Sequence, residues 1–368
     1  MTMTKSKTNI GIIGCGKISD IYLEAGHNFE NLEIVACSDI FLERAQAQAA
    51  KHGIARACSV EELLADPAIE IVVNLTIPKV HADVDLQIIQ AGKSVYSEKP
   101  LAVTRAEAHP LLRLAQEQGV RIGCAPDTFL GAGIQTCRYL IDNGKIGTPI
   151  AAAGNMLCHG HENWHPDPEF YYQVGGGPLF DMGPYYLTAL IALLGPIRRV
   201  SGSARITFPE RTITSQPKAG KIIHVDTPTH IAGVLDFANG AVGTLVTSFD
   251  TWASNAPILE IYGTEGTLSV PDPNTFGGSV RLWQANTGKW EEVEHTHPEN
   301  TLGLGVADLA SALRTGRAHR ANGELAYHVL DVMQSLLESS EENRQLELTT
   351  SCERPAALPP GLRAGEVD

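Results

Sequence analysis

The sequence has no apolar run of the roughly 18–20 residues needed to span a bilayer. Its start, MTMTKSKTN, is polar, and the apolar stretch at residues 10–13 is too short for a signal-peptide core. A cytoplasmic protein with no membrane partner is therefore expected. The seven cysteines (15, 37, 58, 124, 137, 158 and 352) include no CxxC pair. That excludes a zinc framework and leaves them as reduced thiols. Positive charge is scarce: 28 Lys and Arg stand against 42 Asp and Glu, a formal charge of −14. Such a surface repels phosphate backbones and anionic lipids, so nucleic acid is excluded as a partner. Internal repeats and low-complexity tracts are also missing. What remains is globular, with 43% hydrophobic and 19% charged residues. At 368 residues the chain is long enough for two domains.

Five short apolar runs open the chain: NIGIIG, LEIVACSD, IEIVVNLT, SVYSE and VRIGCAP. Helical periodicity separates them, over 17–28, 42–52, 59–66, 79–91 and 104–118. Continuous apolar strands alternating with helices predict a doubly wound parallel sheet in residues 1–126. The pattern then changes. After a helix at 131–143 come longer alternating runs, including HIAGVLDF-ANG-AVGTLVTSF, whose Asn239-Gly240 is a strong hairpin signal. Residues 127–352 are expected to form an α+β domain with a large open, mainly antiparallel sheet and helices at 305–315 and 324–340. The last residues, 353–368, are rich in Pro and Gly and read as a flexible tail.

GIIGCGKIS joins the first strand to the first helix. Gly14 and Gly16 supply the G-x-G of a phosphate turn, where a diphosphate approaches the backbone closely. Lys17 and Ile18 open the helix whose free N–H groups would face the phosphates. The third glycine of the fingerprint is replaced by Ser19, which is still small. Asp39 ends the second strand, where a carboxylate accepts from ribose hydroxyls and repels a 2′-phosphate. The expected cofactor is NAD; Arg44 in the following helix keeps NADP open. A tight structural turn at Gly14 and a solvated Asp39 are the plain alternatives.

Three further motifs follow in order. NLTIPKVHADV holds Thr76, Pro78 and His81; GKSVYSEKPLA holds Glu98, Lys99 and Pro100; GGGPLFDMGPYYL holds Asp181 and Tyr185. Together these resemble the glucose–fructose oxidoreductase, inositol dehydrogenase and MocA family (Gfo/Idh/MocA), and the resemblance runs over nearly the whole chain. It implies a Rossmann domain followed by an α+β domain, a bound nicotinamide cofactor, and sugar or polyol substrates. It implies that Thr76, Pro78, His81, Glu98 and Lys99 lie on the cofactor side, with a helix-start capping or core histidine as the equally open alternative for His81. It also implies a cis peptide before Pro100, and a homodimer or homotetramer paired through the open sheet. Lys99 matches the lysine of the family's EKP motif, and Asp181 the aspartate of its GGGxxxDxGxH motif. The family histidine is replaced here by Tyr185.

Oxidising a carbinol needs a base for the hydroxyl proton while hydride leaves. A phenol, ordinarily near pKa 10, needs help, and a neighbouring ammonium would provide it. The expectation is that Lys99 and Tyr185 share the acid/base role, with Asp181 binding the substrate or orienting Lys99. If 181–185 is helical, Asp181 and Tyr185 share a face, and Pro184 belongs in a first turn with Asp181 near the N-cap. Alternatively Asp181 is a simple cap and Tyr185 a core aromatic. The loop CHGHENWHPDPEFYY clusters His159, His161 and His165 with Trp164. A zinc site there lacks a matching ligand set. The loop is read instead as pocket lining, with Trp164 stacking on a sugar, His165 binding a hydroxyl, and a spare imidazole to stand in for the family histidine. Asp127, past the last Rossmann strand, is expected to face a neutral substrate. The rival readings are an NAD-retaining glycoside hydrolase of the same fold and a non-catalytic dinucleotide sensor.

Overall fold

A computed structural model of the chain describes residues 7–368. It divides into two compact units. Among the described residues, the first comprises residues 7–132 with Thr296–Tyr327 and Pro355–Asp368; the second comprises Gly133–His295 and His328–Arg354.

The first unit is a six-stranded parallel sheet. Its strands are β1 (Thr8–Ile13), β2 (Leu32–Ser38), β3 (Ala57–Cys58), β4 (Ile71–Asn74), β5 (Ser94–Ser97) and β6 (Ile122–Cys124), in spatial order β3-β2-β1-β4-β5-β6. The two-residue β3 carries too short an apolar signal to stand out in the sequence. The helices are α1 (Ser19–Leu23), α2 (Ala25–Asn28), α3 (Leu42–His52), α4 (Val60–Ala65), α5 (His81–Gln90) and α6 (Arg105–Gln118). Ser59 and Thr104 open α4 and α6 with complete capping boxes, closed by Glu62 and Glu107. Strand residues Ile10, Ile12, Ile71, Val72 and Val95 are fully buried, as a sheet covered on both faces requires.

The second unit contains α7 (Ala132–Asp142), β7 (Pro149–Leu157), α8 (Gly177–Leu194), β8 (Ile197–Arg205), β9 (Glu210–Thr212), β10 (Ile222–His224), β11 (His230–Phe237), β12 (Val242–Ser248), β13 (Leu259–Gly263), β14 (Gly266–Val270), β15 (Val280–Gln284) and β16 (Trp290–Val293). The last elements are α9 (Leu304–Thr315), α10 (Gly323–Glu342) and β17 (Leu346–Glu347). Nine strands form one sheet in the order β16-β15-β14-β13-β7-β12-β11-β8-β17. It is mainly antiparallel, but β7 and β12 pair in parallel. The β11–β12 hairpin turns at Asn239-Gly240, where Gly240 has φ +93°. One face of the hairpin buries Ile231, Leu235 and Leu245; Val234 and Val242 on the other face are 39% and 47% exposed.

Three expectations are corrected. Residues 355–368 are not a loose tail. They belong to the first unit: Leu358 and Val367 are buried, and Arg320 donates to the Ala356 and Ala357 carbonyls and to Asp368. The anchor is the wholly buried Asp308 on α9, paired with Arg320 at 2.5 Å and Arg317 at 2.8 Å. Second, the early unit runs to Ala132 rather than 126 and takes in the segment that carries α9. Third, Pro184 lies inside α8. That helix starts at Gly177 with Pro178 in its first turn, which places Asp181 in the second turn rather than near the cap. A proline costs one backbone donor and crowds the preceding residue. Here that residue is Gly183, which has no Cβ, and 15 of the 18 helix residues are buried, so packing outweighs the defect.

Candidate functional site

The first unit gathers the nucleotide-turn residues at the C-terminal end of its sheet. Gly14 has φ +102°, and a Cβ there would come within 2.7 Å of the Leu75 carbonyl oxygen. Only glycine fits. A Cβ on Gly16 would meet nothing within 4 Å, so the turn is open on the side where a diphosphate must approach. Lys17 and Ile18 follow, and Ile18 caps α1 with no side-chain hydrogen bond. Asp39, just past β2, accepts from the Cys15 N–H at 2.8 Å and from the Phe41 N–H at 2.9 Å. Its carboxylate is thus held against the turn. Arg44 lies over the Phe41 ring, 4.5 Å from its centroid. The glycine cradle, the uncapped helix start and the fixed carboxylate together fit a dinucleotide.

The loop after β4 is braced from beneath. The Thr76 N–H and hydroxyl both donate to Asn74 Oδ1, and Asn74 Nδ2 donates to the wholly buried Asp85 at 2.7 Å. Burial pushes the Asp85 carboxyl up to about 7. Pro78 begins a short 3-10 turn. Lys99 is half-buried just past β5, and its peptide with Pro100 is cis, as the family resemblance implies. Glu98 accepts from the Tyr22 hydroxyl at 2.8 Å and from the Lys99 N–H at 3.1 Å. It therefore orients the lysine loop.

Two expected ligand contacts are corrected here. His81 is 1% exposed, with Nδ1 2.7 Å from the Pro100 carbonyl oxygen and Nε2 2.9 Å from that of Thr76. It sits inside, between the two loops, as the core-histidine alternative has it; burial lowers its pKa, and the neutral ring donates to one of the two carbonyls. Asp127 is wholly buried. Its Oδ2 accepts from Gly303 and Gly305 N–H at 3.1 and 2.9 Å, which satisfies the start of α9, so it does not face a substrate.

The second unit gathers the other expected residues. Asp181 and Tyr185 are half-buried on one face of α8, four residues apart. Trp164 is 57% exposed and meets the His161 and His165 rings edge-on. His165 accepts the Asp167 N–H on Nδ1 at 3.0 Å, and its carbonyl accepts from Ser215. His161 Nε2 lies 3.4 Å from Asp181 Oδ2. Among the described residues, no three His, Cys, Asp or Glu side chains are grouped to hold a metal.

The pin for this loop is Arg211, which no motif announced. Only 4% of its side chain is exposed. It pairs with Glu162 at 2.6 Å and with Asp250, and donates to the Phe249 carbonyl at 2.8 Å. The Tyr172 hydroxyl closes on Glu162, and Gly160, at φ +81°, leaves room for it. A single arginine in PERTI carries no sequence signal; only the fold brings it beside two carboxylates distant in sequence.

The N-terminal part, residues 8–125, matches a family of oxidoreductases with an NAD-binding Rossmann fold, and residues 134–269 match the GFO/IDH/MocA C-terminal domain. The chain belongs to the Gfo/Idh/MocA family of oxidoreductases. The family assignment makes its Rossmann unit an NAD-binding domain. A 1,5-anhydro-D-fructose reductase from Ensifer adhaerens is 28% identical, over 85% of this chain and 90% of the reductase. An NAD binding oxidoreductase from Klebsiella pneumoniae superimposes with a TM-score of 0.81 at 23% identity, over 94% of this chain and 100% of the other. An apo levoglucosan dehydrogenase gives 0.81 at 21% identity with the same coverage. At these identities the two structures speak for the fold alone. The dinucleotide turn thus lies within the stretch that matches the NAD-binding Rossmann family.

Proposed function

We propose that this chain is an NAD-dependent dehydrogenase or reductase acting at a carbinol carbon of a neutral sugar, anhydrosugar or polyol. Lys99, Asp181 and Tyr185 are the reacting residues. The observation that carries the reading is the intact dinucleotide cradle with the EKP lysine following β5, at the strand end where open α/β sheets bind ligands. Sugar-directed relatives support the substrate class, since the Ensifer adhaerens homologue is a 1,5-anhydro-D-fructose reductase. Gly14, Gly16, Lys17 and Ile18 would hold the diphosphate of NAD, and Asp39 the adenosine ribose. NAD, when bound, supplies the hydride acceptor. Asp39 favours it over NADP by charge. The chain's own residues handle the proton: Lys99 and Tyr185 share acid and base, and Asp181 binds the reacting hydroxyl. Trp164, with much of its ring exposed, offers a stacking surface for a pyranose or inositol face. His165 contributes a hydroxyl contact. The half-exposed Val234 and Val242 support a homodimer or homotetramer that covers the open face of the sheet.

The test is absorbance at 340 nm with NAD and then NADP against aldoses, inositols and anhydrosugars. Turnover that prefers NAD is expected. Aglycone release from glycosides with no net NADH would refute it in favour of a hydrolase. Lys99→Met should leave NADH binding intact and lower turnover by about 10²–10⁴-fold; unchanged turnover would remove Lys99 from the reaction.

A further inference from the structure

The strongest unassigned feature is the environment of His161. Its Nε2 lies 3.4 Å from Asp181 Oδ2, and only 12% and 17% of the two side chains are exposed. The ring is walled by aromatic groups: Tyr171 at 4.2 Å and Trp164 at 5.3 Å, both edge-on, and Phe249 at 4.6 Å. Nδ1 is buried with no hydrogen-bond partner among the described residues. A neutral imidazole carries one N–H and one lone pair. Among the described residues the only acceptor beside the ring is the carboxylate at Nε2, so the proton belongs there and Nδ1 keeps its lone pair. A doubly protonated ring would leave a buried N–H without an acceptor.

The mounting is rigid. The backbone N–H of His161 donates to the Tyr172 hydroxyl at 3.3 Å, and the next residue, Glu162, is clamped by Arg211. The charged and titratable groups around the pair are Cys158 on the same loop, Glu162 and Arg211 behind it, Asp250 paired with Arg211, Tyr171 and Tyr172, and Tyr185 one turn along α8.

We propose that His161 is a positioning residue of the reaction: its neutral Nε2–H aims and holds the Asp181 carboxylate. This rests on the reading that Asp181 takes part in the reaction.

Two measurements test it. The first needs no substrate: nitrogen-15 NMR of histidine-labelled protein, with the His161 signal assigned by its loss in His161→Gln. A neutral Nε2–H tautomer is expected at pH 8, and in Asp181→Asn the Nε2–H signal should shift as it loses its carboxylate acceptor. An Nδ1–H tautomer, or an Nε2–H signal unmoved in Asp181→Asn, overturns the proposal. The second uses kinetics with myo-inositol and levoglucosan as probes. His161→Gln keeps an N–H donor, so it should retain most of kcat. His161→Phe keeps ring volume without the donor and should lose about 10²-fold in kcat with the NADH Kd unchanged. If both variants keep the wild-type kcat while Asp181→Asn is inactive, His161 has no such role and the Asp181 assignment stands. If Asp181→Asn itself turns over normally, the proposed function loses Asp181 and the positioning role falls with it.

Discussion

Replacing Arg211 with Met isolates what holds the second unit's loop in place. Methionine refills much of the stem volume and removes the charge. Glu162 and Asp250 would then remain as carboxylates whose side chains are 11% and 8% exposed, and the Phe249 carbonyl would lose its donor. Removing one partner of a buried pair costs about 3–5 kcal/mol, because the other charge stays desolvated. With two carboxylates stranded, about 5 kcal/mol is expected, a large part of a total stability of about 5–15 kcal/mol. At roughly 2–4 °C per kcal/mol for a unit of this size, the melting temperature should drop by about 10–20 °C. Scanning calorimetry reads this directly. Adding Glu162→Gln and Asp250→Asn to the Arg211→Met background should restore more than half of the loss, since the penalty is uncompensated charge. NADH binding, which belongs to the other unit, should hold at temperatures where the variant is folded, while the sugar KM rises as Trp164 and His165 lose their mounting. A fall of less than about 3 °C, or no rescue by the neutral pair, would refute the argument that Arg211 pins this loop.

Gly14→Ala forces a Cβ against the Leu75 carbonyl at a backbone angle alanine resists, so NADH affinity should fall at least about 10²-fold, read by fluorescence titration. Asp39→Ser removes the charge that repels a 2′-phosphate and a charged acceptor worth about 1.5–3 kcal/mol; the ratio of kcat/KM for NADP to that for NAD should rise by about 10–10²-fold. Asp85, pushed up to about 7 by burial, binds its proton more tightly folded than unfolded. Its stabilising contribution is therefore complete below about pH 4, the unfolded value, and is lost as pH climbs toward about 7. Asp85→Asn does not titrate, so denaturant melts should show its stability gaining on the wild type between those pH values and running parallel above. The reverse slope would mean that Asp85 is ionised in the fold.

Local pattern was enough to read the architecture of this protein. Apolar runs alternating with helical periods specify a parallel sheet, Gly14 and Gly16 between a strand and a helix specify a phosphate turn, and Asn239-Gly240 specifies a hairpin. Each is short-range, because backbone sterics and strand–helix alternation act over a few residues. The EKP lysine and the Asp181 motif were legible as ordered motifs. Tertiary structure decided everything that depends on which distant groups meet. His81 and Asp127 looked like ligand contacts, yet burial beside carbonyls and helix-end N–H groups made them internal braces. Residues 355–368 looked loose by composition, but Asp308, Arg317 and Arg320 bind them to the first unit. Pro184 looked like a helix start, and close packing of α8 overrode the rule. Arg211 beside Glu162 and Asp250, and His161 beside Asp181, bring together residues that lie 20–49 positions apart. No one-dimensional pattern encodes such meetings, since a buried charge finds its partner through space and only the folded backbone determines which partner that is.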